Sequence, residues 1–402
     1  MAVNYTPASN ILAVEGIRLS SGAAGVRYKD REDLLVVEIA EGSSVAGVFT
    51  QNRFCAAPVL LCREFMADNA PRYLVINSGN ANAGTGQAGL DNAREICEEL
   101  ASLTGVAPEQ VLPFSTGVIG ELLPVEPFRA AFPEVLNGLD AGNWSSAANA
   151  IMTTDTLPKA FSKQLDIGGN TVTITGIAKG AGMIEPNMAT MLAYVATDAQ
   201  IEPELLQSML KQAADLSFNS ITVDGDTSTN DALMLMATGK SQAVVDTTNA
   251  TVFQEALDEV CRYLAQAIIR DAEGATKFVT LTVDTAPDLE TARAVAYTVA
   301  RSPLVKTALF ASDPNWGRLL AAIGRSPVKE LDISKLSLSL GETALIKDGE
   351  PVATYTEAKG QQEMDKAEIT ISIGLHAGDA STTVWTSDLS HDYVTINAEY
   401  RS

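Results

Sequence analysis

The spacing of apolar positions divides the chain into short strands and longer helices. The runs LLVVEIA (34–40), SVAGVFT (44–50) and YLVINSG (73–79) are brief and rich in β-branched residues, which predicts strands. TVTITGIAK (171–179) and MLAYVATDA (191–199) have the same character, the second as a buried strand. Helical spacing appears at 89–104 in GLDNAREICEELASLT, and again near 252–272 and 288–301. Pro203 opens another helix, to about Leu216, because proline is preorganised for a first turn. From about LSLSLGETAL to the end, apolar and polar residues alternate, which predicts antiparallel strands. VDTAPD, around Asp284–Asp288, separates a strand from a helix and is the expected boundary, giving domains 1–284 and 285–402.

Composition adds limits. Hydrophobic residues make up 46% and charged residues 19% of the 402 residues, the balance of a chain with a sizeable core. Acidic residues outnumber basic ones 50 to 28, a formal net charge of -22. Such a surface repels phosphate backbones and anionic lipid, so no nucleic-acid partner and no membrane partner are expected. The four cysteines, Cys55, Cys62, Cys97 and Cys261, form no C-x-x-C pair and build neither a zinc site nor a disulfide framework. The start, MAVNYTPASNILAVEGI, lacks the basic region and continuous apolar core of a signal peptide. No apolar run approaches the roughly 18 residues that span a bilayer. The expected location is the cytoplasm.

The segment GIAKGAGMIEPNMATMLAYVATDA (176–199) carries the candidate chemistry. Gly176, Gly180 and Gly182 allow unusual backbone conformations, and Pro186 keeps Glu185 extended. Thr190 is the sole aliphatic alcohol or thiol between Gly176 and Val195. A threonine hydroxyl is a poor nucleophile unless a base stands beside it. At a new N-terminus it carries that base, an α-amine titrating at about 7.7–8.0. The same hydroxyl can create the terminus by attacking the Ala189 carbonyl, giving an ester that water hydrolyses. The plain alternative is a loop threonine entering a buried strand, since short motifs recur by chance.

Longer stretches resolve that choice. KGAGMIEPNMATMLAYVATDA resembles the cleavage signature of ornithine acetyltransferases (glutamate N-acetyltransferases), in which scission falls between Ala and Thr of M-A-T-M-L. VFTQNRFCAAPV (48–59), INSGNANAGTG (76–86), STGVIGE (115–121), MTTDT (152–156), SFNSITVDGDTSTND (217–231), EGATK (273–277), SDPNWGR (312–318) and INAEYRS (396–402) match that family too.

The resemblance implies an α/β fold, a layered sandwich with β-sheets packed between helices, plus a smaller C-terminal α/β domain. It implies cleavage at Ala189–Thr190 into fragments 1–189 and 190–402, held together as a heterotetramer of two of each. It makes Thr190 the nucleophile and Thr116 with Gly117 the oxyanion hole. Thr153, Lys179, Thr190, Glu273, Asn397 and Ser402 match substrate-binding positions. MTTDT offers both Thr153 and Thr154, of which Thr153 is taken; at Ser402 the family pattern has threonine, and a hydroxyl is kept. The implied reaction is ping-pong: Thr190 takes acetyl from N-acetylornithine and passes it to glutamate, with no cofactor and no metal. Some members also accept acetyl-CoA as donor. The alternatives are a self-processing aminopeptidase of related fold, whose nucleophile would be serine, and a non-catalytic binding protein.

Other signals read as structure. GTGQAG (84–89) satisfies G-x-G-x-x-G, but its strand ends too early for the tight turn a pyrophosphate needs. DGDTSTND (224–231) suggests calcium, yet Thr229 and Leu235 stand where that loop wants glycine and glutamate. His376 and His391 are the only histidines, and neither stands in a nucleophile elbow.

Overall fold

The computed structural model describes residues 2–27, 30–185 and 191–398. The chain forms two compact units, one of residues 7–219 and 227–268, the other of 1–6, 220–226 and 269–402.

The first unit is built on two sheets. Four strands lie in the order Ile17–Gly22, Leu34–Ile39, Tyr73–Asn80, Val111–Val118, the last pair parallel and the others antiparallel. Five more lie in the order Ser44–Phe49, Ala232–Ala237, Leu192–Thr197, Asn170–Lys179, Lys159–Ile167. The pair Ala232–Ala237 and Leu192–Thr197 is parallel, the rest antiparallel. One apolar core joins both sheets, with Ile76 and Phe114 from the first and Tyr194 and Met234 from the second. The Phe114 and Tyr194 rings meet edge to face, 5.3 Å between centroids. That geometry adds about 0.5–1.5 kcal/mol beyond burial.

Helices cover the outer faces. Ala57–Phe65, Gly86–Thr104 and Glu126–Asn137 pack on the four-stranded sheet, and Pro203–Leu216 on the five-stranded one. Helix Ala250–Arg270 also lies on the second sheet: a Cβ at Gly176 would press on Leu264 and Val260. Strands covered on both faces have little need of polar alternation, which is why Tyr73–Asn80, Leu192–Thr197 and Ala232–Ala237 are buried throughout. The resulting order, helices, sheet, sheet, helices, is the layered α/β sandwich.

The second unit carries a seven-stranded sheet in the order Ile221–Thr222, Ala380–Ser387, Phe278–Ala286, Glu368–Gly374, Ser337–Leu340, Thr343–Lys347, Glu350–Pro351. Glu368–Gly374 follows period two, with Ile369, Ile371 and Ile373 in the core and Glu368 and Thr370 exposed. Helix Leu289–Ala300 begins where the Asp288 carboxylate accepts from Thr291 N–H, and Pro303–Phe310 where the Ser302 hydroxyl accepts from Val305 N–H.

Two expectations are corrected here. A boundary at 284/285 would sever Phe278–Ala286 from its neighbours Glu368–Gly374 and Ala380–Ser387, so the division falls instead between 268 and 269. The C-terminal region is not all antiparallel strand. Phe278–Ala286 runs parallel to Glu368–Gly374, and helices Glu357–Met364 and His391–Ala398 interrupt the alternation. The first of these helices buries only Gly360 and Met364, too little to leave a periodic apolar stripe.

Candidate active site

Thr190 and Ala189 lie outside the described residues, as does Ser402. The described chain frames the segment of the expected nucleophile closely. Gly180 follows the strand Asn170–Lys179 at φ +155, and Met191 leads directly into Leu192–Thr197. These two strands pair antiparallel, Lys179 opposite Leu192, so the segment between them joins adjacent strand ends. Thr227 donates its hydroxyl hydrogen to the Glu185 carbonyl at 3.0 Å, tethering the approach.

Thr116 and Gly117 sit near the end of Val111–Val118, where pairing with Tyr73–Asn80 shifts register at Gly79 and Asn80. Gly117 has φ +138, and a Cβ there would run into the Gly79 carbonyl and the Asn80 nitrogen, both backbone. Only glycine fits such an approach. Among the described residues no hydrogen bond engages the Thr116 hydroxyl. The strand end is fixed by neighbours instead: the Ser115 hydroxyl donates to Asn77 Oδ1 at 2.7 Å, and Asn230 Nδ2 donates to the Ser115 and Ala81 carbonyls. A hydroxyl and a backbone N–H side by side are the donor types a tetrahedral acyl-transfer intermediate requires.

Thr153 and Lys179 are brought together by a residue the sequence reading passed over, Asp155. Its side chain is wholly buried. Oδ1 accepts from Lys159 Nζ and from Gly180 N–H, each at 2.7 Å, while Oδ2 accepts from Thr153 N–H at 3.1 Å. Lys179 Nζ stands 3.9 Å from Oδ2. Burial works to raise the Asp155 pKa, but the two ammonium groups and these hydrogen bonds hold it well below the usual carboxylate range. The only sequence signal was a pair of charges, one in MTTDT and one in LPKA, of a kind that is usually solvated.

Glu273 and Asn397 meet in the second unit. Asn397 Nδ2 donates to Glu273 Oε2 at 2.6 Å across 124 residues of sequence. Glu273 is buried, and among the described residues no ion pair engages it. Gly274, at φ +66, lets the turn lie against Ser390 and Tyr393, which a Cβ would strike. Asp388 anchors the same turn, accepting from Thr276 and Lys277 N–H and from the Thr276 hydroxyl. The Tyr393 hydroxyl donates to Asp224 at 3.1 Å; burial and that carboxylate push its pKa up.

The motifs set aside have structural partners. In GTGQAG the Asn82 side chain donates to the Gly89 carbonyl and accepts from Thr85, closing the connection on itself. In DGDTSTND, Asp224 Oδ1 accepts from Asp226 N–H and Thr229 donates to Asn230. Among the described residues no helix is long and apolar enough to cross a membrane.

A family model described as the ArgJ family matches residues 18–402. The chain is 54% identical over 406 residues to the arginine biosynthesis bifunctional protein ArgJ of Pseudomonas fluorescens (strain Pf0-1), covering 100% of each. It is 55% identical over 392 residues to the protein of that name from Methylococcus capsulatus, covering 97% of this chain and 96% of the relative. Among solved structures, an arginine biosynthesis bifunctional protein argJ from Bacillus halodurans is 38% identical with a TM-score of 0.50, covering 52% of this chain and 99% of its own.

Proposed function

The chain belongs to the ArgJ family, and from that premise we propose that it moves an acetyl group from N2-acetylornithine to glutamate in arginine biosynthesis. The observation that carries this reading is the pairing of residues far apart in sequence. Thr153 and Lys179 share Asp155, and Asn397 bonds Glu273 directly, so four implied substrate-binding residues form two built clusters.

In the proposed sequence the Thr190 hydroxyl attacks the Ala189 carbonyl, and the peptide C–N bond breaks to give an ester and a free α-amine. Water cleaves the ester, leaving an Ala189 carboxylate and an N-terminal Thr190. The α-amine then takes the hydroxyl proton as Thr190 Oγ1 attacks the acetyl carbonyl of N2-acetylornithine. Thr116 Oγ1–H and Gly117 N–H donate to the developing oxyanion. Collapse passes the proton to the departing nitrogen, releases ornithine and leaves acetyl-Thr190. The glutamate amine attacks that ester, and N-acetylglutamate leaves. Lys179 holds a substrate carboxylate by charge-assisted hydrogen bonds, and Glu273 accepts from an ornithine ammonium. Ser402 offers a hydroxyl.

No step needs a metal or organic cofactor. The two fragments stay together as a heterotetramer in the cytoplasm. The relatives' name, bifunctional, favours a second activity, which we assign to acetyl-CoA as an alternative acetyl donor to glutamate. Purified protein assayed for glutamate acetylation with each donor separately tests the reading. Turnover should be far faster with N2-acetylornithine, and none with either donor overturns the proposal.

A further inference from the structure

We propose that Tyr393, anchored by Asp224, is a positioning residue for Asn397 and through it for Glu273: it fixes the C-terminal helix where Asn397 orients the Glu273 carboxylate toward a substrate ammonium. This rests on the reading above, in which Glu273 accepts from an ornithine ammonium.

Helix His391–Ala398 buries none of its residues, and eight residues are too few for a helix to persist by itself in water. Specific contacts hold it instead. The Tyr393 hydroxyl donates to Asp224 Oδ2 at 3.1 Å, and the His391 ring stands edge-on to Phe310, 5.8 Å between centroids. Asp224 is a firm anchor, two residues beyond Ile221–Thr222, the edge strand that pairs with Trp385 and Thr386. Tyr393 and Asn397 are four apart, on one face of the helix. An asparagine amide has two hydrogens to give. Asn397 Nδ2 donates to the Tyr393 carbonyl at 3.0 Å and to Glu273 Oε2 at 2.6 Å. The backbone of Tyr393 thus aims the amide, and the amide sets the carboxylate. Contact is close on the other side too, since a Cβ on Gly274 would stand 2.7 Å from the Tyr393 nitrogen.

Tyr393→Phe keeps the ring and removes the hydroxyl, so the helix loses its tie to Asp224 and the Glu273 carboxylate its fixed direction. The readout is a ratio: kcat/KM for N2-acetylornithine over that for N2-acetylnorvaline, which is the same molecule without the side-chain amine. Tyr393→Phe should lower the ratio about tenfold, the worth of one hydrogen bond to a charged group. The N2-acetylnorvaline value itself should stay within about threefold of wild type. If that analogue turns over too slowly to measure, kcat/KM for glutamate serves as the reference. Equal losses for both substrates, or none, would reduce Tyr393 to a structural residue and overturn the inference. In an Asp224→Ala background the hydroxyl has already lost its acceptor, and Tyr393→Phe should change the ratio by less than about twofold. A full tenfold drop there would mean that the hydroxyl acts elsewhere, and would also overturn it.

Glu273→Gln separates the two failures. If it leaves the ratio unchanged, the assignment of Glu273 falls, and this inference falls with it. If it collapses the ratio while Tyr393→Phe does not, the inference alone is overturned. Thermal melting monitors folding, and Tyr393→Phe should melt as wild type does, because it alters a helix with no buried residue. Should Asp224→Ala not fold, the ratio for Tyr393→Phe decides.

Discussion

Asp155 and Glu273 are both buried carboxylates beside implied substrate-binding residues, and they differ in what they face. Asp155 meets two ammonium groups and two backbone N–H groups, so its charge is met within the protein. Glu273 meets an asparagine amide, and no cation among the described residues. A buried carboxylate that is internally paired acts as scaffold, and removing its charge strands the partners. One left with a neutral donor retains its attraction for an incoming cation. On the proposed reading, identical chemistry serves architecture in one unit and recognition in the other.

Buried lysines make the same contrast. Lys159 donates to a carboxylate, whereas Lys306 donates to the Thr386 hydroxyl and the Ser387 carbonyl. Burial lowers the Lys306 pKa to about 8, against a smaller upward pull from Asp388 and Asp224.

The comparison breaks first at Asp155. Asp155→Asn alone should destabilise the first unit by about 3–5 kcal/mol, because it breaks the buried ion pair with Lys159. Chemical denaturation measures this, and an unchanged midpoint would reduce Asp155 to a bystander.

Next is Gly117→Ala. Its Cβ meets backbone atoms of Gly79 and Asn80 that cannot swing aside, so the strand end must shift. With one proposed oxyanion donor displaced, kcat should fall on the order of 10²–10³-fold. Retained kcat would remove Gly117 from the chemistry.

Glu273→Gln sharpens the recognition side. It keeps the shape and an acceptor for Asn397, so melting should be nearly unchanged. kcat/KM for N2-acetylornithine should drop by about 2–5 kcal/mol, with a smaller loss for glutamate. Equal losses for both substrates would deny Glu273 its assigned cation.

The smallest effect concerns pH. Lys306 has a folded-state pKa of about 8 against an ordinary 10.5, so the unfolded chain binds more protons between those values. Stability should therefore rise with pH above 8, by about 2 kcal/mol between pH 8 and 10. Lys306→Met should flatten that slope. A slope of the opposite sign would contradict the neutral-partner account of Lys306.

Much of the scaffold is legible in sequence because it follows from burial. Strands flanked on both faces leave continuous apolar runs, as in 73–76 and 192–196, and the long helix 86–104 repeats its apolar face over several turns. Short helices such as Trp144–Ala150 and Trp316–Gly324 complete too few turns to establish a period. The domain division was hidden because strand partners, not linker composition, decide it: Ile221–Thr222 joins a sheet whose other members begin at Phe278. At the site, glycine-rich segments and long motifs marked the residues worth locating. The partnerships among them, Asp155 with Lys159 and Glu273 with Asn397, are contacts of isolated polar residues and carry no local pattern.

The central claim is that Thr190 carries the acetyl group between substrates, and intact mass spectrometry tests it directly. The mature protein should consist of fragments 1–189 and 190–402. Incubation with N2-acetylornithine alone should add one acetyl group to the second fragment, on Thr190, and glutamate should then remove it. Thr190→Ala should remain a single chain of 42.4 kDa and take up no acetyl. An active chain that is never cut, or acetyl found on another residue, would contradict the account.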